Sequence, residues 1–267
     1  MVSPLYKFWL GLRSTLLWLL FAPFTLTMAT IILFLFFLPI AYRMALVRFW
    51  SAFTLASLRL CCGLNYTVEG LENIPAEGFI VMSKHSSTWE TIAIQGFFER
   101  PLVWVVKREL TWIPFFGWGL KVMDSIALNR GTGRKAINQL IAESRVMMDN
   151  GRILMLFPEG TRVPPGQSKP FKLGGAIVSQ QTGYAVLPIA HNAGEYWPRH
   201  SWIKWPGTVR VVIGEPIPPG DKTPEEIIAD IGDWIRTECE RISDRQQLQR
   251  LGIRSSGAGD QDPNGDH

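Results

Sequence analysis

The pattern of hydrophobic and polar residues divides the chain into an apolar amino-terminal segment and a longer region of short alternating runs. No charged residue occurs between Arg13 and Arg43. A helix over residues 14–42 would be roughly 43 Å long, against about 30 Å for the hydrocarbon core of a bilayer. A secretory signal peptide has a shorter apolar region and a small-residue cleavage site, so this segment predicts a lipid anchor. Pro23 lies inside it and predicts a kink or a break in the helix.

Basic residues flank the apolar segment at both ends and indicate how it enters the membrane. Lys7 and Arg13 stand at one end, and Arg43 and Arg48 at the other. A single tilted span would place one of these pairs on the non-cytoplasmic side, against the tendency of Lys and Arg to stay in the cytoplasm. A helical hairpin that enters the bilayer and returns keeps both pairs on the cytoplasmic face. We favour the hairpin over the single span and assign residues 1–62 to a membrane anchor.

From about Gly70 onward, short apolar runs alternate with helix-like segments. The runs predicted to be strands are residues 79–83, 101–107, 125–129, 152–158, 185–190 and 208–217. Several are continuously apolar, as expected of strands that are covered on both faces. Residues 133–149 have helical periodicity, and Thr223 begins another helix with Glu226 in capping-box position. The alternation predicts an α/β domain over residues 63–250, with a mixed, mostly parallel sheet flanked by helices.

Composition and charge narrow the class of protein further. The net charge of +4 is compatible with an ordinary basic surface or with attraction to anionic lipid headgroups, and the apolar anchor favours the second. The three cysteines form no disulfide framework, and no residues have the spacing of metal ligands, so no metal is expected. No nucleic-acid partner is expected either. Residues 251–267 lack apolar periodicity and predict a disordered tail.

One histidine lies where a predicted strand passes into a helix, in the stretch VMSKHSSTWET at residues 81–91. His85 therefore stands at the carboxyl end of a strand, where open α/β sheets bind their ligands. Glu90, in the first turn of the helix, can reach back to the imidazole, fix its tautomer and leave the other nitrogen to accept a proton from a hydroxyl. The alternative is a capping box from Ser87 to Glu90, which gives Glu90 a structural role and His85 none.

Two further strand ends carry groups that bind anions. In LMLFPEGTR at residues 154–162, Gly160 allows backbone amides to approach an anion, and Arg162 can grip a phosphate with paired hydrogen bonds. The alternative is a polar turn with an internal pair between Glu159 and Arg162, and Glu159 could also orient Arg162 towards a phosphate. Lys107, at the end of another predicted strand, can supply a second cation. These groups are suited to holding a phosphate-bearing substrate while one of its hydroxyls is deprotonated.

Two other stretches allow more than one interpretation. The aromatic segment TWIPFFGWG at residues 111–119 is either a loop that folds onto the core or a segment at the membrane interface, and we favour the interface. His191 follows a strand and either borders the pocket or is a hydrogen-bonded structural residue, and we favour the structural role. The chain has no G-x-S-x-G sequence, which argues against a serine lipase.

The sequence resembles the glycerolipid acyltransferase family. The resemblance lies in H-x-x-x-x-E at 85–90, K-x-E-L…P-F-F-G at 107–117, F-P-E-G-T-R at 157–162 and L-P-I-A at 187–190, in the order of the family and after a similar anchor. It implies a glycerol-3-phosphate acyltransferase-like fold. It also implies acyl transfer from acyl carrier protein or coenzyme A to the 2-hydroxyl of lysophosphatidate, on the cytoplasmic face of a bacterial inner membrane and without a cofactor.

The resemblance also implies roles for individual residues. His85 would be the general base and Glu90 would orient it. Lys107 and Arg162 would bind the phosphate, in a loop shaped by Glu159 and Gly160. The chain departs from the family at Glu90, where aspartate is commonest, and this puts the fine geometry in doubt. The alternatives are a sister activity on glycerol-3-phosphate or another lysolipid, and a membrane adaptor without catalysis.

Overall fold

The computed structural model describes residues 2–253, in which helices and strands alternate. The α-helices are α1 (Pro4–Phe34), α2 (Ile40–Ser57), α3 (Trp89–Ala93), α4 (Phe116–Val122), α5 (Arg134–Asp149), α6 (Gly174–Thr182), α7 (Ala193–Tyr196), α8 (Pro224–Ile242) and α9 (Arg245–Arg250). The β-strands are β1 (Leu64–Glu69), β2 (Ile80–Ser83), β3 (Leu102–Lys107), β4 (Ile126–Leu128), β5 (Ile153–Leu156), β6 (Val186–His191) and β7 (Gly207–Ile213).

The strands form one sheet in the order β1-β7-β6-β2-β5-β3-β4. All neighbouring strands are parallel except β6 and β7, which are antiparallel. The predicted mixed, mostly parallel sheet is therefore confirmed. Strand β1 was not predicted, because its sequence LNYTVE has no continuous apolar run and most of its side chains are exposed. Parallel pairing with β7 holds it at the edge of the sheet.

Two apolar cores cover the two faces of the sheet. On one face, Val81 and Leu187 pack in a cluster that extends to Leu10 of the first helix. On the other face, Met82 and Leu154 belong to a cluster that also contains buried residues of α5, α6 and α8. Since successive strand residues point to opposite faces, the continuously apolar strands fill both cores at once.

The first helix is a single long element that continues through Pro23. Of the two outcomes predicted for Pro23, a break in the helix does not occur. Packing against α2 on the carboxyl-terminal side of Pro23 stabilises the helix there. The rings of Phe24 and Phe53 lie 4.0 Å apart, and Trp50 Nε1 donates a hydrogen bond to Thr25 Oγ1 at 2.9 Å.

Helices α1 and α2 form a hairpin whose turn spans residues 35–39. The turn lies near the end of the uncharged stretch, because α1 is not interrupted at its proline. Arg43 consequently lies beside the closed end of the hairpin, whereas the sequence interpretation placed it at the open end. Its guanidinium donates a hydrogen bond to the carbonyl of Val122, and Arg48 Nη1 donates to the carbonyl of Glu99 at 3.0 Å. The hairpin is thus docked on the α/β domain.

Much of the apolar surface of the hairpin faces outward. Helix α1 is long and apolar enough to cross a membrane, and so is the helical segment Ile40–Cys62, which consists of α2 and the π-helical turn that follows it. Their exposed side chains, together with those of the hairpin turn, include Leu5, Phe8, Leu16, Leu19, Phe34, Phe36, Phe37 and Phe49. The segment 111–119 also exposes aromatic residues, and Trp112 is 67% exposed. The two apolar helices indicate association with a membrane.

The ordered chain continues slightly beyond the predicted domain boundary at residue 250. Leu251 packs against the core, and the amide of Ile253 donates to the carbonyl of Leu248 at 2.9 Å. The rest of the predicted tail, residues 254–267, lies outside the described residues.

Candidate active site

The carboxyl ends of the parallel strands meet at one edge of the sheet, and the predicted site residues follow them there. His85 comes after β2, Lys107 ends β3, and Glu159, Gly160 and Arg162 follow β5. All of these except Glu159 line one pocket with a volume of about 680 Å³. The fold therefore brings the predicted base and the predicted cations into a common cavity.

The predicted pair between His85 and Glu90 is present. Glu90 is completely buried, and its Oε1 accepts a hydrogen bond from His85 Nδ1 at 2.9 Å. Burial by itself opposes ionisation, but the nearby His191 and the hydrogen bond from His85 lower the pKa of Glu90 below its ordinary value. An ionised Glu90 keeps the proton of His85 on Nδ1. None of the described side chains forms a hydrogen bond with Nε2, which is then available to accept a proton.

The capping function of Glu90 is also present, so the two interpretations of this stretch are compatible. The amides of Ser86 and Ser87 donate to Glu90 Oε1 at 3.0 and 2.9 Å, and the amide of Trp89 donates to Ser87 Oγ at 3.1 Å. The turn that precedes α3 therefore holds the carboxylate of Glu90, which in turn holds the imidazole. Because Glu90 Oε1 accepts from the two amides and from His85 Nδ1, the position of the His85 ring depends on the backbone fold of this turn.

The backbone and ring of His85 are fixed by the loop that follows β5. The amide of His85 donates to Glu159 Oε2 at 2.6 Å, and its carbonyl accepts from the amide of Val163 at 2.7 Å. The imidazole stacks on the ring of Phe157 with centroids 3.8 Å apart. These contacts join the histidine turn and the loop 157–163 into one unit.

Glu159 supports this unit rather than the guanidinium of Arg162. Its carboxylate is completely buried and pairs with Lys84 Nζ while accepting the hydrogen bond from the amide of His85. The predicted contact between Glu159 and Arg162 is not formed, because Lys84 and the amide satisfy both oxygens. Burial raises the pKa of Glu159, and the charge of Lys84 offsets part of this effect.

Three cationic side chains line the pocket. Lys107 is half-exposed, with Nζ 3.8 Å from Glu109 Oε1, and such exposed pairs are weak. Arg162 is partly buried, its Nε has no hydrogen-bond partner, and no carboxylate pairs with it in the described part of the chain. Lys172, which the sequence interpretation missed, also lines the pocket, and its amide donates to the carbonyl of Pro158 at 2.9 Å. The cavity is therefore suited to an anionic ligand.

The remaining wall of the pocket is apolar. It is formed by Trp104, Leu110, Phe116, Leu120, Leu140 and Leu156. Gly160, on the cationic side, has a φ of 68°, a left-handed conformation that favours glycine. A pocket lined by both cations and apolar side chains matches an amphipathic molecule with an anionic head and an acyl chain.

Two residues near the site gave no sequence signal of their own. Lys84 and Lys172 stand in no recognisable spacing, and only the fold shows that one pairs with a buried carboxylate and the other faces the pocket. His191 is buried and hydrogen-bonded, in agreement with the structural role favoured from the sequence. Within residues 2–253, no cluster of His, Cys, Asp and Glu is arranged to hold a metal ion.

Comparisons with known proteins agree with this fold. Residues 65–192 match the family described as Acyltransferase. The chain is 42% identical to the 1-acyl-sn-glycerol-3-phosphate acyltransferase of Pseudomonas aeruginosa over 205 residues, which are 75% of this chain and 79% of that protein. It is 34% identical to the enzyme of the same name from Borreliella burgdorferi over 128 residues, 48% of this chain and 51% of the relative.

A solved structure has the same architecture. The crystal structure of the 1-acyl-sn-glycerophosphate (LPA) acyltransferase PlsC from Thermotoga maritima matches with a TM-score of 0.70 at 26% identity, and the match covers 93% of this chain and 100% of that one. The fold and these relatives thus define an α/β enzyme whose candidate site lies at the carboxyl edge of its sheet. The chain belongs to the acyltransferase family.

Proposed function

We propose that this protein transfers a fatty acyl group from a thioester to the 2-hydroxyl of 1-acyl-glycerol-3-phosphate, also called lysophosphatidate, and so makes phosphatidic acid. The observation that carries the proposal is that His85, held by the buried Glu90, lines the same pocket as Lys107 and Arg162. The printed names of the bacterial relatives support this choice of acceptor. The apolar wall of the pocket supports an acceptor or donor with an acyl chain.

In the proposed reaction, His85 acts as general base and Glu90 orients it. His85 Nε2 takes the proton of the 2-hydroxyl as the oxygen attacks the thioester carbonyl. The carbon–sulfur bond then breaks, the acyl group stays on the oxygen, and the thiolate takes the proton from the imidazolium. Because a thioester carbonyl is already electrophilic, the reaction requires no covalent enzyme intermediate. Glu90 stabilises the positive charge that His85 carries between the two proton transfers.

The phosphate of the acceptor is proposed to bind the cations that line the pocket. Arg162 suits this role because its guanidinium has no carboxylate partner within residues 2–253, and Lys107 is half-exposed and able to reorient. Gly160 keeps a left-handed turn in the loop beside them. We assign the buried carboxylate of Glu159 to holding the backbone of His85 rather than to contacting the phosphate.

The acyl donor is proposed to be acyl carrier protein or coenzyme A carrying a fatty acyl thioester. The catalytic domain, residues 63–250, is proposed to lie on the cytoplasmic face of the inner membrane, with residues 1–62 as its anchor. The outward-facing apolar side chains of the hairpin support this placement, and so do the exposed aromatic residues of segment 111–119. Single cysteines introduced at Lys7 and Arg48 should react with an impermeant reagent from the same side of sealed vesicles.

Acyl transfer by the purified protein tests the proposal directly. Labelled acyl carrier protein and acyl coenzyme A thioesters are offered in turn with lysophosphatidate, glycerol-3-phosphate or a monoacylglycerol. We expect product from lysophosphatidate, and product from a phosphate-free acceptor instead would contradict the proposed phosphate site. His85→Ala should lower kcat by about 10²–10⁴-fold, the usual contribution of a general base.

Variants of the cations separate binding from chemistry. Arg162→Met should raise KM for lysophosphatidate far more than it lowers kcat, because the interaction it removes is with the bound phosphate. Lys222→Met is the matched control, since Lys222 pairs with Asp230 on the surface. Unchanged transfer by a folded His85→Ala variant would refute the mechanism, whereas no transfer by the wild-type protein to any of the acceptors would favour an adaptor role.

A further inference from the structure

A second histidine lies directly behind the catalytic pair. His191, the last residue of β6, is 2% exposed, and its Nε2 is 4.0 Å from Oε2 of Glu90. This Oε2 is buried and has no hydrogen-bond partner among residues 2–253, whereas Oε1 accepts three. A buried carboxylate oxygen without a hydrogen-bond partner is rare and costly. A proton on His191 Nε2 would therefore stabilise the negative charge at this oxygen.

The hydrogen bonds of His191 define its protonation state. Nε2 lies 2.8 Å from the carbonyl oxygen of Lys84, and only a protonated nitrogen can donate there. The amide of Ala193 donates to Nδ1 at 3.3 Å, so Nδ1 carries no proton. Burial lowers the pKa of His191, although the charge of Glu90 opposes this effect, and the ring is neutral with its only N–H at Nε2.

Besides the carbonyl of Lys84, to which it donates, the N–H of His191 lies near the carboxylate of Glu90. The charged side chains that act on His191 are Glu90, Lys84 and His85, and Glu159 and Glu195 act on the neighbouring Cys239. Glu195 accepts hydrogen bonds from Ser243 and from the amide of Asp244. Lys84 and Glu159 pair with each other, and Cys239 Sγ contacts the backbone carbonyl of His191 at 3.8 Å, away from the ring. Among the buried side-chain nitrogen and oxygen atoms of this described group, only the second oxygen of Glu90 lacks a hydrogen-bond partner.

We propose that His191 is a positioning residue that acts through Glu90. Its Nε2–H partly compensates the negative charge at Oε2 and so sets how strongly the carboxylate holds the ring proton of His85. Without that N–H the carboxylate would bind the imidazolium more tightly. His85 would then stay protonated to higher pH and would return its proton to the leaving thiolate less readily. The proposal rests on the proposed role of His85 as the base.

Substitutions at His191 separate this role from packing. His191→Leu removes the N–H, whereas His191→Gln keeps a side-chain N–H near the position of Nε2. For the leucine variant we expect the acid limb of the kcat/KM profile to move up by roughly half a pH unit, less than the shift from a full opposite charge. We expect kcat to fall severalfold with little change in KM for lysophosphatidate. The His191→Gln variant should have most of the wild-type kcat and an acid limb close to that of the wild type.

A measurement without substrate separates this proposal from the choice of acceptor. The rate at which diethylpyrocarbonate modifies His85, followed by mass spectrometry across pH, reports the protonation of its ring in the free enzyme. The midpoint should rise in His191→Leu and in His191→Asn, whose shorter side chain does not reach Glu90. The midpoint should equal that of the wild type in His191→Gln and in the exposed control His200→Asn. Equal midpoints in all folded variants would show that His191 only packs, and would overturn the proposal.

Discussion

Replacing Glu90 with glutamine removes the charge of the carboxylate that contacts His85 while keeping its shape. Glu90 Oε1 accepts hydrogen bonds from His85 Nδ1 and from two amides, at 2.9–3.0 Å. A hydrogen bond to a charged group contributes about 1.5–3 kcal/mol, against about 0.5–1.5 kcal/mol for a neutral one. The loss over these contacts is about 3 kcal/mol, and relief from burying a charge offsets part of it. Glu90→Gln should therefore fold.

The expected effect on catalysis is much larger than the effect on folding. The carboxylate of Glu90 orients the imidazole of His85 and stabilises its protonated form, and Glu90→Gln removes this support. We expect kcat to fall by about 10²–10³-fold, within the range for general base catalysis. KM for lysophosphatidate should change little, because Lys107 and Arg162 remain. Initial rates of acyl transfer over a range of acceptor concentrations separate the two parameters.

Two matched variants sharpen this experiment. Glu226→Gln removes an exposed capping glutamate from α8, far from the pocket in sequence, and should leave kcat unchanged. Glu90→Asp keeps the charge but shortens the side chain by one methylene, so it should retain much more activity than Glu90→Gln. If the folded glutamine variant kept more than a tenth of the wild-type kcat, the proposed support of His85 by Glu90 would be wrong.

Two further predictions concern stability. Burial raises the pKa of Glu195 from 4.5 to about 7, so between these pH values the folded state binds more protons than the unfolded state. The free energy of unfolding therefore falls as pH rises, by at most about 3 kcal/mol. Denaturation at pH 5 and pH 8 in the same detergent should show that Glu195→Gln lacks this loss, and a pH dependence identical to that of the wild type would contradict the prediction. Gly70 and Gly183 have φ values of 82° and 80°, but a Cβ at Gly70 would lie 2.0 Å from the carbonyl oxygen of Ile213, whereas one at Gly183 would meet nothing within 4 Å. Gly70→Ala should therefore cost about 1–3 kcal/mol more than Gly183→Ala in the same measurement, and equal costs would show that the backbone yields at Gly70.

The sequence predicted the parts of the fold whose signal is local. Continuous apolar runs identified β2 and β5 because strands that are buried on both faces need no alternation. The edge strand β1 was missed, because it is half-exposed and held by pairing with β7, a partner more than a hundred residues away. The position of the hairpin turn was also missed. Residues 35–38 are as apolar as the helix before them, and only packing between α1 and α2 decides where the chain reverses.

The site was predicted as far as it depends on strand ends. His85, Lys107 and Arg162 follow parallel strands, so topology alone brings them to one edge. The partners of Glu159 were not predictable in the same way. Its pairing with Lys84 is a contact between residues 75 positions apart, and the choice between Lys84 and Arg162 depends on which side chain the core leaves within reach.

The backbone contacts between the histidine turn and the loop after β5 have a consequence for engineering the acceptor specificity of this enzyme. Glu159 and Val163 bind the amide and the carbonyl of His85, and Arg162 lies between them in sequence. A redesigned loop that accepts a different headgroup would therefore also displace the imidazole. Specificity is easier to alter from Lys107 or Lys172, whose backbones make no hydrogen bond to that histidine.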